Sequence, residues 1–173
     1  MPLSPISEGR LVGIYPPLAA AIRSLSDMMD ANYRLLVSCG LRTWSQQAVD
    51  YSVGRDENEK VIGKTITDAP PGYSWHQYGL AVDVAIEDAD AKLDWNDQHP
   101  VWVDMVAKGQ SLGMVSGDCW HLKDGPHWQM TGSFGVSPNA EVINLLTAGG
   151  TIAVWKAAFP DYSPSLDETY SAT

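Results

Sequence analysis

The stretch Ser74-Trp75-His76-Gln77-Tyr78-Gly79-Leu80-Ala81-Val82-Asp83 sets an imidazole and a carboxylate seven residues apart, around a glycine and an apolar run. Both are good zinc ligands. A catalytic zinc site usually takes three such protein ligands and leaves a fourth position for water, so a third ligand is required. The best candidate lies in Asp124-Gly125-Pro126-His127-Trp128-Gln129, where His127 completes a set with His76 and Asp83. Asp124, three residues earlier, is placed to handle protons.

Asp83 is informative because of its surroundings. Leu80 to Ile86 is β-prone and nearly continuous in apolar residues, which reads as a central strand interrupted by one carboxylate. Burying that charge costs several kcal/mol unless it is paired or metal-bound, and no Lys or Arg lies close in sequence. A histidine by itself is ordinarily structural or exposed, and His99 and His121 are read that way. His76 and His127 differ because each belongs to a Gly- or Pro-punctuated motif that also carries a carboxylate.

The elements that must position these groups follow from periodicity and punctuation. Residues 1 to 16 read as an irregular entry, with Pro16 and Pro17 opening a helix that runs to about Tyr33 on an apolar stripe of Leu18, Ala21, Ile22, Leu25, Met28 and Met29. Leu35 to Cys39 reads as a buried strand, and Gly40 as the bend that follows. Arg42 then stands between a strand end and a helix over Gln46 to Val53, with Thr43 or Ser45 as its cap. Arg55 to Gly72 reads as a long surface loop and Glu87 to Gln98 as an acidic one. The spacing predicts a helix over Val101 to Gly113, two short extended pieces around an Asp-Gly-Pro turn within Cys119 to Met130, and two helices, Glu141 to Ala148 and Thr151 to Phe159. Asn139 is a possible cap.

Together these predict an α+β fold in one domain, residues 1-160, with its core about 11-130 and a helical extension at 138-159. The sheet is small and mainly antiparallel, carries the metal ligands and is flanked by helices. Residues 161-173 read as a loose tail.

Bulk properties exclude some partners. A 173-residue chain is long enough to bury a core without disulfides. Its net charge of -10, with no Lys/Arg cluster, argues against nucleic acid and acidic lipid. No apolar run approaches membrane-spanning length, so membrane insertion is not expected. The start MPLSPISEGR lacks the basic-then-apolar order of a secretory signal, so the chain is expected to be cytoplasmic at synthesis. A monomer is expected.

The motifs resemble a known family. SWHQYGLAVD fits the Ser-x-His-x-x-Gly-x-Ala-x-Asp pattern of the zinc D-alanyl-D-alanine carboxypeptidases of the VanY type and the phage L-alanyl-D-glutamate endolysins. DGPHWQ fits that family's Asp/Glu-x-x-His element, and GLRTWSQQAVDYSVGR is similar to its upstream Gly-x-Arg-Thr/Ser segment. The resemblance covers roughly residues 11 to 130. It implies one catalytic Zn2+ held by His76, Asp83 and His127, with Asp124 as general base. Arg42 would orient substrate or stabilise its oxyanion, and Ser74 would assist by hydrogen bonding.

The implied activity is hydrolysis of a peptide bond in peptidoglycan stem peptides. Asp rather than Glu in the base position is similar to the endolysin-type members and favours the L-alanyl-D-glutamate bond over terminal D-Ala. Removal of D-Ala is the alternative, and a wall-peptide binding or structural zinc domain without turnover is an alternative of another class. A closed site, with His121 or Cys119 as fourth ligand, would mark the latter. The chain would then act on the cell wall after release or export by another route.

Cys39 and Cys119 are too far apart in sequence for a Cys-x-x-Cys metal pair and read as two buried, reduced thiols. Thiol titration of denatured, unreduced protein should therefore count both; a count of none would establish a disulfide.

Overall fold

The structure is a computed structural model that describes residues 1-164, so most of the expected tail lies outside the described residues. The described residues form an α+β fold with a five-stranded antiparallel sheet. Contacts group them into two compact units, one of residues 1-41 and 80-130, the other of residues 42-79 and 131 onward.

The first unit holds the whole sheet. β1 (Arg34–Cys39), β2 (Ala81–Glu87), β5 (Asp124–Gln129) and β4 (Val115–Gly117) lie side by side in that order, and the two-residue β3 (Leu93–Asp94) pairs with the end of β2. Alternation along β2 separates two faces. Val82, Val84 and Ile86 stand opposite Trp128, Val37 and Leu35, and all six are fully buried. This is the core face. Asp83, with Ala81 and Ala85, points to the other side.

Two helices accompany that core, α2 (Pro16–Met28) and α4 (Pro100–Ser111). Leu18, Ile22 and Leu25 of α2 and Trp102 and Met105 of α4 are fully buried, each such side chain contributing about 1.5–3 kcal/mol. Gly109 is required on α4 because any side chain there would run into the Trp128 ring. α2 stops at Met28, short of the expected Tyr33. The Asp30 carboxylate accepts the Asn32 backbone N–H at 2.9 Å, a local turn that competes with the helix.

Three further expectations needed adjustment. The N-terminal segment is not wholly irregular, since α1 (Pro5–Arg10) forms there with Ser4 accepting the Ser7 N–H. The acidic loop contains β3. The Asp-Gly-Pro sequence is not a turn but the start of β5, and residues 118-123 make the connection instead. Proline lacks the N–H a ladder needs, but Pro126 falls where the β4/β5 register shifts between Ser116 and Gly117, so no regular pairing is lost.

The second unit is helical. α3 (Trp44–Ser52) starts on a reciprocal cap in which Thr43 and Gln46 each bond the other's backbone. α5 (Ala140–Ala158) is capped by Asn139 and broken at Gly149 and Gly150, whose backbone angles are not helical. Two helical segments were expected on either side of that pair. Between α3 and α5 in sequence, Trp75–Tyr78 forms a single 3-10 turn closed by Gly79, whose φ of 65° favours glycine. Among the described residues no helix is long and apolar enough to cross a membrane.

Tyr78 anchors this turn by donating its hydroxyl to the Gly72 carbonyl at 2.7 Å. Burial, and secondarily the neighbouring Tyr73, push its phenol up to about 12. A pKa raised by folding means that the folded state prefers the neutral form. The contribution is therefore complete below the ordinary tyrosine value of about 10 and is lost as pH rises from there through about 12. Tyr78→Phe should cost about 1–3 kcal/mol at neutral pH by orphaning the Gly72 carbonyl. Urea unfolding should show wild type losing this advantage between pH 10 and 12, and an unchanged gap across that range would contradict it.

Candidate functional site

On the face of the sheet opposite the core face, register places three donor-bearing residues in a row across adjacent strands. Cys39 of β1 stands opposite Asp83 of β2, and Asp83 stands opposite His127 of β5. Directly opposed residues point to the same side. A bulge between Val37 and Cys39 makes Cys39 rather than Ser38 the partner of Asp83, and the Cys39 sulfur lies within 4.8 Å of an Asp83 carboxylate oxygen.

His127 is buried, with Nδ1 3.5 Å from Asp83 Oδ1. Its Nε2 is 2.9 Å from Oε1 of the buried Gln129. An amide oxygen only accepts, so Nε2 is the donor in that contact, and Nδ1 is the nitrogen that faces Asp83. That imidazole nitrogen and the carboxylate oxygen are both metal-ligand atoms. Their separation is close to the roughly 3.4 Å edge of a tetrahedron with metal–ligand arms of ~2.0–2.1 Å. The donor chemistry of Asp83 and His127 therefore fits zinc.

Trp120 and Asp124 belong to the same unit. The half-buried Trp120 ring sits against His127, with centroids 5.1 Å apart and planes inclined at 45°. Asp124 is exposed at the start of β5, opposite Gly117, where a side chain would collide with the Asp124 backbone.

In the second unit, the 3-10 turn that carries His76 is held on three sides. Trp155 Nε1 donates to the Tyr78 carbonyl and Trp75 Nε1 to the Val136 carbonyl, each at 2.7 Å. The Arg42 backbone N–H donates to the His76 carbonyl at 3.1 Å. His76 is thereby buried on a fixed backbone, and Ser74, also buried, immediately precedes the turn. The Arg42 guanidinium donates to Gln47 Oε1 at 2.9 Å and lies 3.4 Å from an Asp50 oxygen. Gln47 is fully buried and donates its amide to the Ala69 carbonyl, so the fork is preorganised.

Cys39, Gln47, Asp50 and Gln129 were not singled out from sequence. Gln129 was detectable, because two residues beyond His127 on a strand is the same face. Gln47 and Asp50 lie one helical turn apart on α3. Cys39 gave no signal, since it depends on a bulge. Cys119 and His121, considered as closing ligands, are exposed on the 118-123 connection; His99 caps α4 by accepting the Val101 N–H. Both cysteines are free thiols, as expected, but Cys39 is half-buried and Cys119 exposed rather than buried.

Residues 15–117 match the family model described as VanY, D-alanyl-D-alanine carboxypeptidase, which is more than half of the 173-residue chain. The chain belongs to that family. Among curated relatives it is similar to the peptidoglycan L-alanyl-D-glutamate endopeptidase CwlK of Bacillus subtilis (strain 168). The identity is 30% over 104 residues, covering 56% of this chain and 60% of CwlK. The chain thus spans less than two thirds of that relative's length. Among solved structures, the Serratia marcescens L-Ala D-Glu endopeptidase ChiX is similar with a TM-score of 0.55 and 25% identity, over 75% of this chain and 89% of ChiX.

The Gln47 bridge can be probed without reference to activity. Gln47→Leu keeps the volume but orphans the Ala69 carbonyl and one guanidinium contact, so it should cost about 1–3 kcal/mol in urea unfolding. A stability equal to wild type would show that the bridge contributes nothing.

Proposed function

We propose that this chain is a zinc peptidase that hydrolyses the L-alanyl-D-glutamate bond of peptidoglycan stem peptides. The observation that carries the reading is the Asp83–His127 pair, an imidazole nitrogen and a carboxylate oxygen 3.5 Å apart, a spacing that suits two ligands of one zinc ion. The proposed ligands are His76, Asp83 and His127, the first taken from its motif. Zinc, when bound, supplies Lewis acidity that makes water nucleophilic near neutral pH and polarises a carbonyl.

The chain's own residues do the rest. Asp124 takes a proton from the attacking water and returns it to the amine released when the C–N bond breaks. Arg42, held by Gln47 and Asp50, holds the negative charge that develops on the carbonyl oxygen. Ser74 contributes a hydrogen bond to the bound peptide. Asp124, one methylene shorter than Glu, supports the endopeptidase bond, and CwlK and ChiX carry that activity in their names. The family description supports a second reading, D-alanyl-D-alanine carboxypeptidase. A peptidoglycan stem peptide is the proposed partner, and the net charge of -10 disfavours tight electrostatic binding to anionic wall polymer.

Mass spectrometry of purified muropeptides separates the two bonds. Products cut between L-Ala and D-Glu are expected, and release of free D-Ala with that linkage intact would overturn the endopeptidase assignment. Chelation should abolish turnover and added zinc restore it; normal hydrolysis by metal-free protein sinks the zinc mechanism. Asp124→Ala should lower kcat by roughly 10²–10⁴-fold, and full activity in that variant would mean that another group is the base.

A further inference from the structure

We infer that Gln129 is a positioning residue that fixes the tautomer of His127 and thereby selects Nδ1 as the nitrogen that meets the metal. The inference rests on the zinc reading for its metal half alone. Gln129 is nearly fully buried on β5, with Ala81 of β2 and Val115 of β4 as its register partners. A buried amide flanked by two apolar residues is costly unless its polar atoms are used. One use is visible, since its Oε1 lies 2.9 Å from His127 Nε2.

An imidazole offers either nitrogen to a metal, and the proton on the other decides which. With Oε1 toward the ring, Nε2 donates, and Nδ1 is the nitrogen left facing Asp83 Oδ1, 3.5 Å away. The reverse arrangement, amide NH2 toward Nε2, would put a proton on Nδ1 and seal the position between ring and carboxylate with an ordinary hydrogen bond. Gln129 therefore decides which ring nitrogen of His127 keeps a proton when a metal is bound. The alternation of the strand builds this in, because residues two apart share a face. Partners of this kind on ligating histidines typically change metal affinity by 10–100-fold.

The test uses the full chain and two readouts. In metal-free protein, long-range 1H–15N correlation spectra should show His127 as the Nε2–H tautomer in wild type and as a mixture, or Nδ1–H, in Gln129→Met. Zinc affinity, measured by competition with a chromophoric chelator, should fall roughly 10–100-fold in Gln129→Met and stay at or above wild type in Gln129→Glu, which keeps an accepting oxygen. Gln129→Asn, whose shorter side chain withdraws that oxygen, serves in place of Gln129→Met if the latter does not fold. Unchanged tautomer and unchanged affinity in the acceptor-lacking variant would overturn the inference, as would equal losses in Gln129→Glu and Gln129→Met, which indicate packing. If wild type binds no zinc, the zinc reading falls and the metal half falls with it, while the tautomer measurement still decides what Gln129 does to His127.

Discussion

A carboxylate set in the middle of an apolar strand is the constraint on which the sheet depends. Asp83 lies between Val82 and Val84, both fully buried, and a shift of one residue in register would turn the carboxylate into the core and the valines out of it. The penalty for that slip is far larger than any single packing preference, so the strand has one acceptable registry. Once it is set, Cys39 and His127 are brought to either side of Asp83 by the ladder itself.

The two irregularities of the ladder occur beside these residues. One bulge adds a residue to β1 and brings Cys39 opposite Asp83; the other breaks the β4/β5 register, admits Pro126 and leaves Asp124 exposed at the strand's start. Behind them the core face is continuous, from Leu35 and Val37 through Val84 and Val82 to Trp128, with Gly109 allowing the helix to approach the indole. A rigid apolar backing of this kind fixes where the side chains of the opposite face stand.

In the other unit, positioning is by hydrogen bonds rather than by register. The Trp155 indole N–H and the Arg42 backbone N–H end on carbonyls of the short turn that carries His76, while the turn's own Trp75 indole and Tyr78 hydroxyl end on the Val136 and Gly72 carbonyls. Such a turn is too short to be stable through its own backbone bonds. Sequence spacing shows the turn's glycine and the motif's histidine, but not the tryptophan 77 residues further along that bonds the Tyr78 carbonyl.

Local chemistry alone was enough to determine much of the chain. The apolar strand around Asp83, the cap at Thr43 and the break at Gly149 and Gly150 are all properties of neighbouring residues, and each was legible because backbone preference and hydrophobic period act over a few positions. The Asp-Gly-Pro segment was misread for the complementary reason. Its residues favour a turn, and only a bulged ladder from another part of the chain makes a strand of it. The same holds for Cys39, placed by a bulge, for Gln47, whose partners lie across a loop, and for which ring nitrogen of His127 faces Asp83. These were decided by tertiary structure, because which atom faces which across a sheet depends on register and side-chain burial, and neither is encoded in any one segment.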